Sequence, residues 1–155
     1  MIYVFDTNSL SELNAYYPDI FRAFWAQFDA VVANGEVVST REVRPEVERS
    51  GKDNIVAWIK ANGQVFTMPA APETAFVAQI LAIPHFQALI GQKALLRGTP
   101  VADPFVIACA RANGGTVVTQ ERLKPGAAKI PNVCAHFGIP CIDLEGFMRA
   151  QNWSF

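Results

Sequence analysis

Residues 1–13 read MIYVFDTNSLSEL, and this opening decides the architecture. Ile2, Tyr3, Val4 and Phe5 run without a polar break. A short run of bulky side chains that is apolar at consecutive positions reads as a strand buried on both faces, as in the middle of a parallel sheet. Asp6 follows at once. A carboxylate at the end of such a strand costs desolvation free energy unless something compensates it. Two compensations are available: the positive end of a following helix, or a cation. Ser9-x-x-Glu12 has the pattern of a capping box, so a helix is expected to start there.

Reading outward, the 155 residues suit a single domain, 1–155, around one sizeable core. Charged residues make up 17% of the chain, against about 25% on average. The net charge is -1, so bulk charge does not coat nucleic acid and only a local basic patch could serve that end. The opening lacks a basic region before its apolar run, which argues against a signal peptide. Cys109, Cys134 and Cys141 have no C-x-x-C spacing and suit a reducing, cytoplasmic setting. His85 and His136 lie far apart and match no zinc pattern. The uncharged span 74–92 is long enough to raise a membrane question. Gln79, Pro84, His85 and Gln87 interrupt it, and it reads as two core helices around Pro84 with no membrane span.

Strand-like and helix-like segments then alternate. DIFRAFWAQFDAVVANG is an amphipathic helix closed by Asn34-Gly35, EVVS a short strand, TREVRPEVER the start of a helical region, and NIVAWIKANG the end of one. QVFTM reads as an edge strand. DPFVIACARANGG has a clear start at Asp103-Pro104 and a clear stop at Asn113-Gly114-Gly115. TVVTQ is an apolar strand, KPGAAKIPN a loop, VCAHFG a short helix, PCI a last strand, and DLEGFMRAQNW a C-terminal helix. This alternation predicts an α/β fold with a parallel sheet covered on both faces. Ligands of such sheets bind outside the carboxyl ends of the strands.

That rule directs attention to the acids at the strand tips. Asp6 closes the first strand, Glu42 and Glu46 follow the strand ending at Ser39, Glu121 follows TVVT, and Asp103 opens the helix leading into TVVT. Each has an ordinary explanation taken singly: capping for Asp103, a solvated helix face for Glu42 and Glu46, a solvated pair with Arg122 for Glu121. Together they would repel one another unless a divalent cation sat among them. Oxygen ligands without His or Cys suit Mg²⁺ or Mn²⁺, and the usual work of such an ion is phosphoryl chemistry. No GxSxG, P-loop or dinucleotide fingerprint points elsewhere. A haloacid dehalogenase-type phosphatase needs a second aspartate where this chain has Asn8.

YVFDTNSLSEL, STREVRPEVER, VADPFVIACARANGGTVVTQE and KIPNVCAHFGIPCID together resemble PIN-domain proteins, in particular the VapC-like ribonuclease toxins and a PIN branch close to them. The resemblance covers nearly the whole chain. It implies a three-layer α/β/α sandwich with a central, mainly parallel sheet of four to five strands. It also implies a metal-dependent endoribonuclease using Mg²⁺ or Mn²⁺. By position, Asp6, Glu46, Asp103 and Glu121 would hold the metal, with VRPEV resembling the family's Val-x-x-Glu-Leu. Glu121 stands where many relatives carry aspartate. Glu42 lies one turn before Glu46 and shares its helix face, so either could be the acid of the second motif. Asn8 matches a polar residue that supports the first acid by hydrogen bonding, and Thr119 is a candidate for the same part.

Candidate RNA-binding cations flank these acids: Arg41 and Arg44 (with Arg49) around the second motif, Arg122 and Lys124 (with Lys129) after Glu121. No basic-aromatic stacking platform is visible. The resemblance implies an RNA substrate, a protein antitoxin and a homodimer. Phe21, Phe24, Trp25 and Phe28 form an apolar helix face that fits the core or a partner. The competing reading is a non-catalytic PIN-like module that binds RNA or protein.

Overall fold

The computed structural model describes residues 1–50, 52–91 and 101–155. In chain order its elements are β1 (Tyr3–Phe5), α1 (Thr7–Glu12), α2 (Arg22–Ala33), β2 (Val37–Thr40), α3 (Val43–Ser50) and α4 (Asp53–Ala61). There follow β3 (Phe66–Thr67), α5 (Ala71–Leu81), α6 (Ala102–Ala112), β4 (Thr116–Val118), α7 (Ile130–Phe137), β5 (Cys141–Ile142) and α8 (Leu144–Ala150). Among the described residues five strands form one sheet in the order β3-β2-β1-β4-β5, and every neighbouring pair is parallel. QVFTM does supply an edge strand, shortened to two residues because Gly63–Val65 coils into a 3₁₀ turn first.

The apolar run at the start occupies the centre of this sheet. Tyr3, Val4 and Phe5 are all buried. Tyr3 and Phe5 meet Phe147 of α8 edge-on at 5.0 and 5.1 Å between ring centroids, and Phe5 meets Phe28 of α2 at 5.7 Å. Strand alternation turns Val4 to the opposite face, where α6 packs against β1, β2 and β4 and is itself covered by α5. The result is a three-layer α/β/α sandwich. Gly115, after α6, lies so close to Ile2 that a side chain there would meet the Ile2 carbonyl oxygen at 2.8 Å, so the turn into β4 requires glycine.

Three local expectations are corrected. The first helix starts at Thr7, two residues before the expected Ser9, and Asp6 is its cap. Asp6 has the extended backbone of an N-cap, with φ -89° and ψ -178°, and its side chain accepts from the Ser9 backbone N–H. Asp103 does not cap α6; Val101 stands at the cap position and makes no side-chain cap, while Asp103 lies within the first turn. Of the pair around Pro84, the first is α5, but the second is a short 3₁₀ segment, Pro84–Leu89, followed closely by Gly91 with φ +72°. The last residue of that uncharged span, Gln92, lies outside the described residues. Among the described residues no helix is long and apolar enough to cross a membrane. All three cysteines are free.

Candidate functional site

In chain order the sheet grows from β1 to β2 on one side and from β4 to β5 on the other. The direction switches between β1 and β4, so a crevice opens at their carboxyl ends. Asp6 follows β1 there and Thr119 follows β4. The Asp6 backbone N–H still bonds to the Val118 carbonyl at 3.1 Å, which fixes the aspartate at the mouth of the crevice.

Asp6 is only 2% exposed and its carboxylate is fully engaged. Oδ1 accepts from the Ser9 backbone N–H and the Ser9 hydroxyl, both at 2.8 Å, and Oδ2 accepts from the Thr119 hydroxyl at 2.5 Å. Burial raises its pKa above the ordinary carboxylate value; these hydrogen bonds pull it back, and the charge of Glu121 pushes it up further. Thr119 thus supports the first acid directly. Asn8 does not: it is exposed and makes no hydrogen bond to Asp6 among the described residues. Ser9 takes that part. Its signal was the Asp6-x-x-Ser9 spacing, which competes with Ser9-x-x-Glu12 for the same cap.

Glu46, on the first turn of α3, joins three segments. Its Oε1 accepts from the Thr7 hydroxyl at 2.6 Å and its Oε2 from the Ala102 backbone N–H at 3.1 Å. It thereby supplies the N-terminus of α6 with the acceptor that Asp103 was expected to provide. Glu121 does the same for α7: its Oε2 accepts from the Ile130 N–H at 3.0 Å, while its own N–H donates to Thr119 Oγ1 at 3.1 Å.

Asp103 differs from the other three. Its carboxylate has no hydrogen-bond donor among the described residues. Burial, then the charges of Glu121, Asp6 and Glu46, push its pKa up from 3.8 to about 7, and Lys129 draws it down. The four acids therefore share one electrostatic environment. Glu42 is not part of it. It turns to a separate cavity and pairs with Arg41 at 3.3 Å. Sharing a helix face in sequence did not decide the matter, because Glu42 lies before the first residue of α3 and is not on the helix.

Of the cations, Arg122 lines a cavity of about 570 Å³ beside Glu121. Lys124 and Lys129 are exposed on the loop before α7. Arg44 is paired with Glu48 at 2.8 Å along α3, both side chains partly exposed.

The donor set around Asp103 is oxygen only, which suits a hard divalent cation. Among the described residues no three acidic, histidine or cysteine side chains are grouped closely enough to hold one ion as they stand. Asp6 and Glu46 each have both oxygens engaged in hydrogen bonds and Glu121 has one.

A family model described as "Domain of unknown function (DUF4411)" matches residues 3–155. The chain belongs to this family. No curated protein matches it. Among solved structures, a chain of "VapBC2 from Rickettsia felis bound to a DNA fragment from their promoter" is similar at 14% identity, covering 92% of this chain and 98% of that one, with a TM-score of 0.50. PAE2754 from Pyrobaculum aerophilum is similar at 18% identity, covering 97% and 88%, with a TM-score of 0.47. The fold is PIN-like.

Proposed function

We propose that this chain is a Mg²⁺- or Mn²⁺-dependent endoribonuclease acting as the toxin of a toxin–antitoxin pair. The observation that carries the reading is the convergence of Asp6, Glu46, Asp103 and Glu121 at the switch point of the sheet, with the Asp103 carboxyl raised to about 7 first by burial and then by the charges of the others. An uncompensated group of acids is unfavourable, and a divalent cation removes the cost. Its oxygen donors fit such an ion: Asp103 offers a carboxylate free of protein donors among the described residues, and Mg²⁺ keeps several waters through which already engaged acids can act. When bound, the ion supplies a Lewis acid beside the scissile phosphate and lowers the pKa of an attacking water.

The protein's own contribution is positioning. Ser9 and Thr119 hold Asp6 in one orientation. Glu46 fixes the start of α6, and with it Asp103, against α1. Arg122, Lys124 and Lys129 offer phosphate contacts along the entry to the crevice. The toxin part of the reading, with a protein antitoxin as partner, is supported by the resemblance to VapC-like toxins and by the fold shared with the VapBC2 chain.

The test is cleavage of single-stranded RNA with Mn²⁺, with EDTA, and by the Asp6→Asn and Asp103→Asn variants. Asparagine keeps the shape of both side chains and the cap at position 6. Cleavage that EDTA and either substitution abolish is expected. Undiminished cleavage by both variants refutes the assignment. Absence of Mn²⁺ binding at millimolar concentration by calorimetry would favour the non-catalytic module instead, a reading to which the engaged oxygens of Glu46 and Glu121 lend weight.

A further inference from the structure

Glu42 and Glu46 face different spaces. Beside Glu42 lies a cavity of about 720 Å³ lined by Arg41, Glu42, Arg49, Met68, Pro69 and Phe105, among others. That volume falls in the range of small-ligand sites. Phe105 is two residues beyond Asp103 on α6, so the cavity adjoins the carboxylate cluster from the other side of that turn.

Three features define what could fill it. The first is a buried, half-satisfied carboxylate. The Glu42 side chain is 6% exposed; its Oε1 meets Arg41 Nε at 3.3 Å, whereas its Oε2 is buried and has no hydrogen-bond partner among the described residues. Buried polar atoms are nearly always paired, so an N–H or O–H donor is missing here. The second is an apolar wall of Met68, Pro69 and Phe105, with Met68 70% exposed and so accessible to a ligand. The third is a cationic rim. Arg41 has a 58% exposed side chain, and exposed Arg49 donates from Nε to the Pro45 carbonyl at 3.3 Å.

A guanidinium or ammonium ligand would satisfy Glu42 but meet two arginines. A carboxylate ligand would suit the arginines but meet Glu42. A flat heteroaromatic ring with N–H donors on one edge and a phosphate attached meets all three demands. Among the bases, guanine places two donors side by side, N1–H and N2–H, which a carboxylate accepts together. Adenine and cytosine set a ring-nitrogen acceptor next to their amine, and uracil flanks its N–H with two carbonyls. Each of these would turn a lone pair toward Glu42, and a site with a buried polar group discriminates strongly against a ligand that leaves it unpaired.

We propose that this cavity binds a guanine base of the RNA, with Glu42 accepting from N1–H and N2–H and with Arg41 and Arg49 holding an adjoining phosphate. The inference rests on reading the chain as a ribonuclease and makes Glu42 its base-selecting residue.

Binding of GMP, AMP, CMP and UMP to the whole chain in EDTA, followed by amide chemical shifts, tests it apart from catalysis. GMP is expected to bind about tenfold or more tighter than the others, with shifts at Arg41, Met68 and Phe105. IMP, which lacks the N2 amine, should fall between. Glu42→Gln, which keeps the shape but not the paired acceptors, should lose the GMP preference without lowering the melting temperature. Equal binding of the four nucleotides, or an unchanged preference in Glu42→Gln, overturns the proposal. So does displacement of GMP by free arginine at lower concentration than by AMP, which would mark a pocket for a protein side chain. GMP selectivity without RNA cleavage would uphold the pocket and sink the nuclease, whereas cleavage without GMP selectivity would do the reverse.

Discussion

Replacing Asp103 by asparagine should make the metal-free protein more stable, and only at high pH. The Asp103 carboxyl is pushed from 3.8 to about 7 by burial and by three neighbouring acids. An acid whose pKa is higher in the folded chain holds a proton there that the unfolded chain has released. Its contribution is therefore present below about pH 4 and is lost as pH rises through about 7. The gap between 3.8 and about 7 corresponds to a ceiling of about 4 kcal/mol at 1.36 kcal/mol per pH unit. Asp103 retains some solvent access, and its neighbours can adjust. Screening and relaxation therefore reduce the ceiling to about 1–2 kcal/mol. Asparagine mimics the protonated acid. Thermal melts in EDTA should find Asp103→Asn about 3–6 °C above the parent near pH 8 and level with it near pH 4. Millimolar Mn²⁺ should raise the parent's melting temperature near pH 8 and leave the variant's unchanged. A variant that melts below the parent near pH 8, or by the same margin at both pH values, would refute the claim that the four acids repel one another through Asp103.

The other acids behave oppositely, because their oxygens hold the chain together. Thr119→Val removes the donor to Asp6 and the acceptor of the Glu121 N–H. It should cost about 2 kcal/mol in urea unfolding, and more near pH 8 than near pH 4, since an unsupported Asp6 resists ionisation. Glu46→Ala leaves the Thr7 hydroxyl and the Ala102 N–H without acceptors; a loss of about 1–2 kcal/mol and faster hydrogen exchange at Ala102 are expected. Phe147→Ala empties the space between Tyr3, Phe5 and Phe28 and should destabilise by about 3–5 kcal/mol by the same denaturant measurement.

The architecture was readable in the sequence because the central strands of a doubly covered sheet are buried on both faces and read as nearly continuous apolar runs. Tyr3–Phe5 and Thr116–Val118 carry that signature, and the glycines after Ala112 end α6 where expected. The grouping of Asp6, Glu46, Asp103 and Glu121 also follows from strand tips and helix starts. What could not be read was the direction of individual side chains. Glu42 and Glu46 differ by one turn in the chain, yet one lies just outside α3 and the other on it, so they part company. Caps were misassigned for a related reason. Serine and aspartate compete for the same N-terminal N–H groups, and only the path of the strand decides which of Asp6 and Ser9 stands at the boundary.

The hydrogen bonds of the carboxylates also bear on how such a chain can change over time. Asp6, Glu46 and Glu121 each fasten two or more separate segments. A drifting lineage cannot discard any of them without weakening its own scaffold, whatever becomes of its chemistry. Among the described residues, position 103 carries no such obligation. A substitution there would relieve the fold of a repulsion, so selection for stability and selection for the charge pull in opposite directions. On the proposed metal-dependent reading, a relative without that chemistry should differ first at the residue corresponding to Asp103, while the other three acids persist as parts of the scaffold.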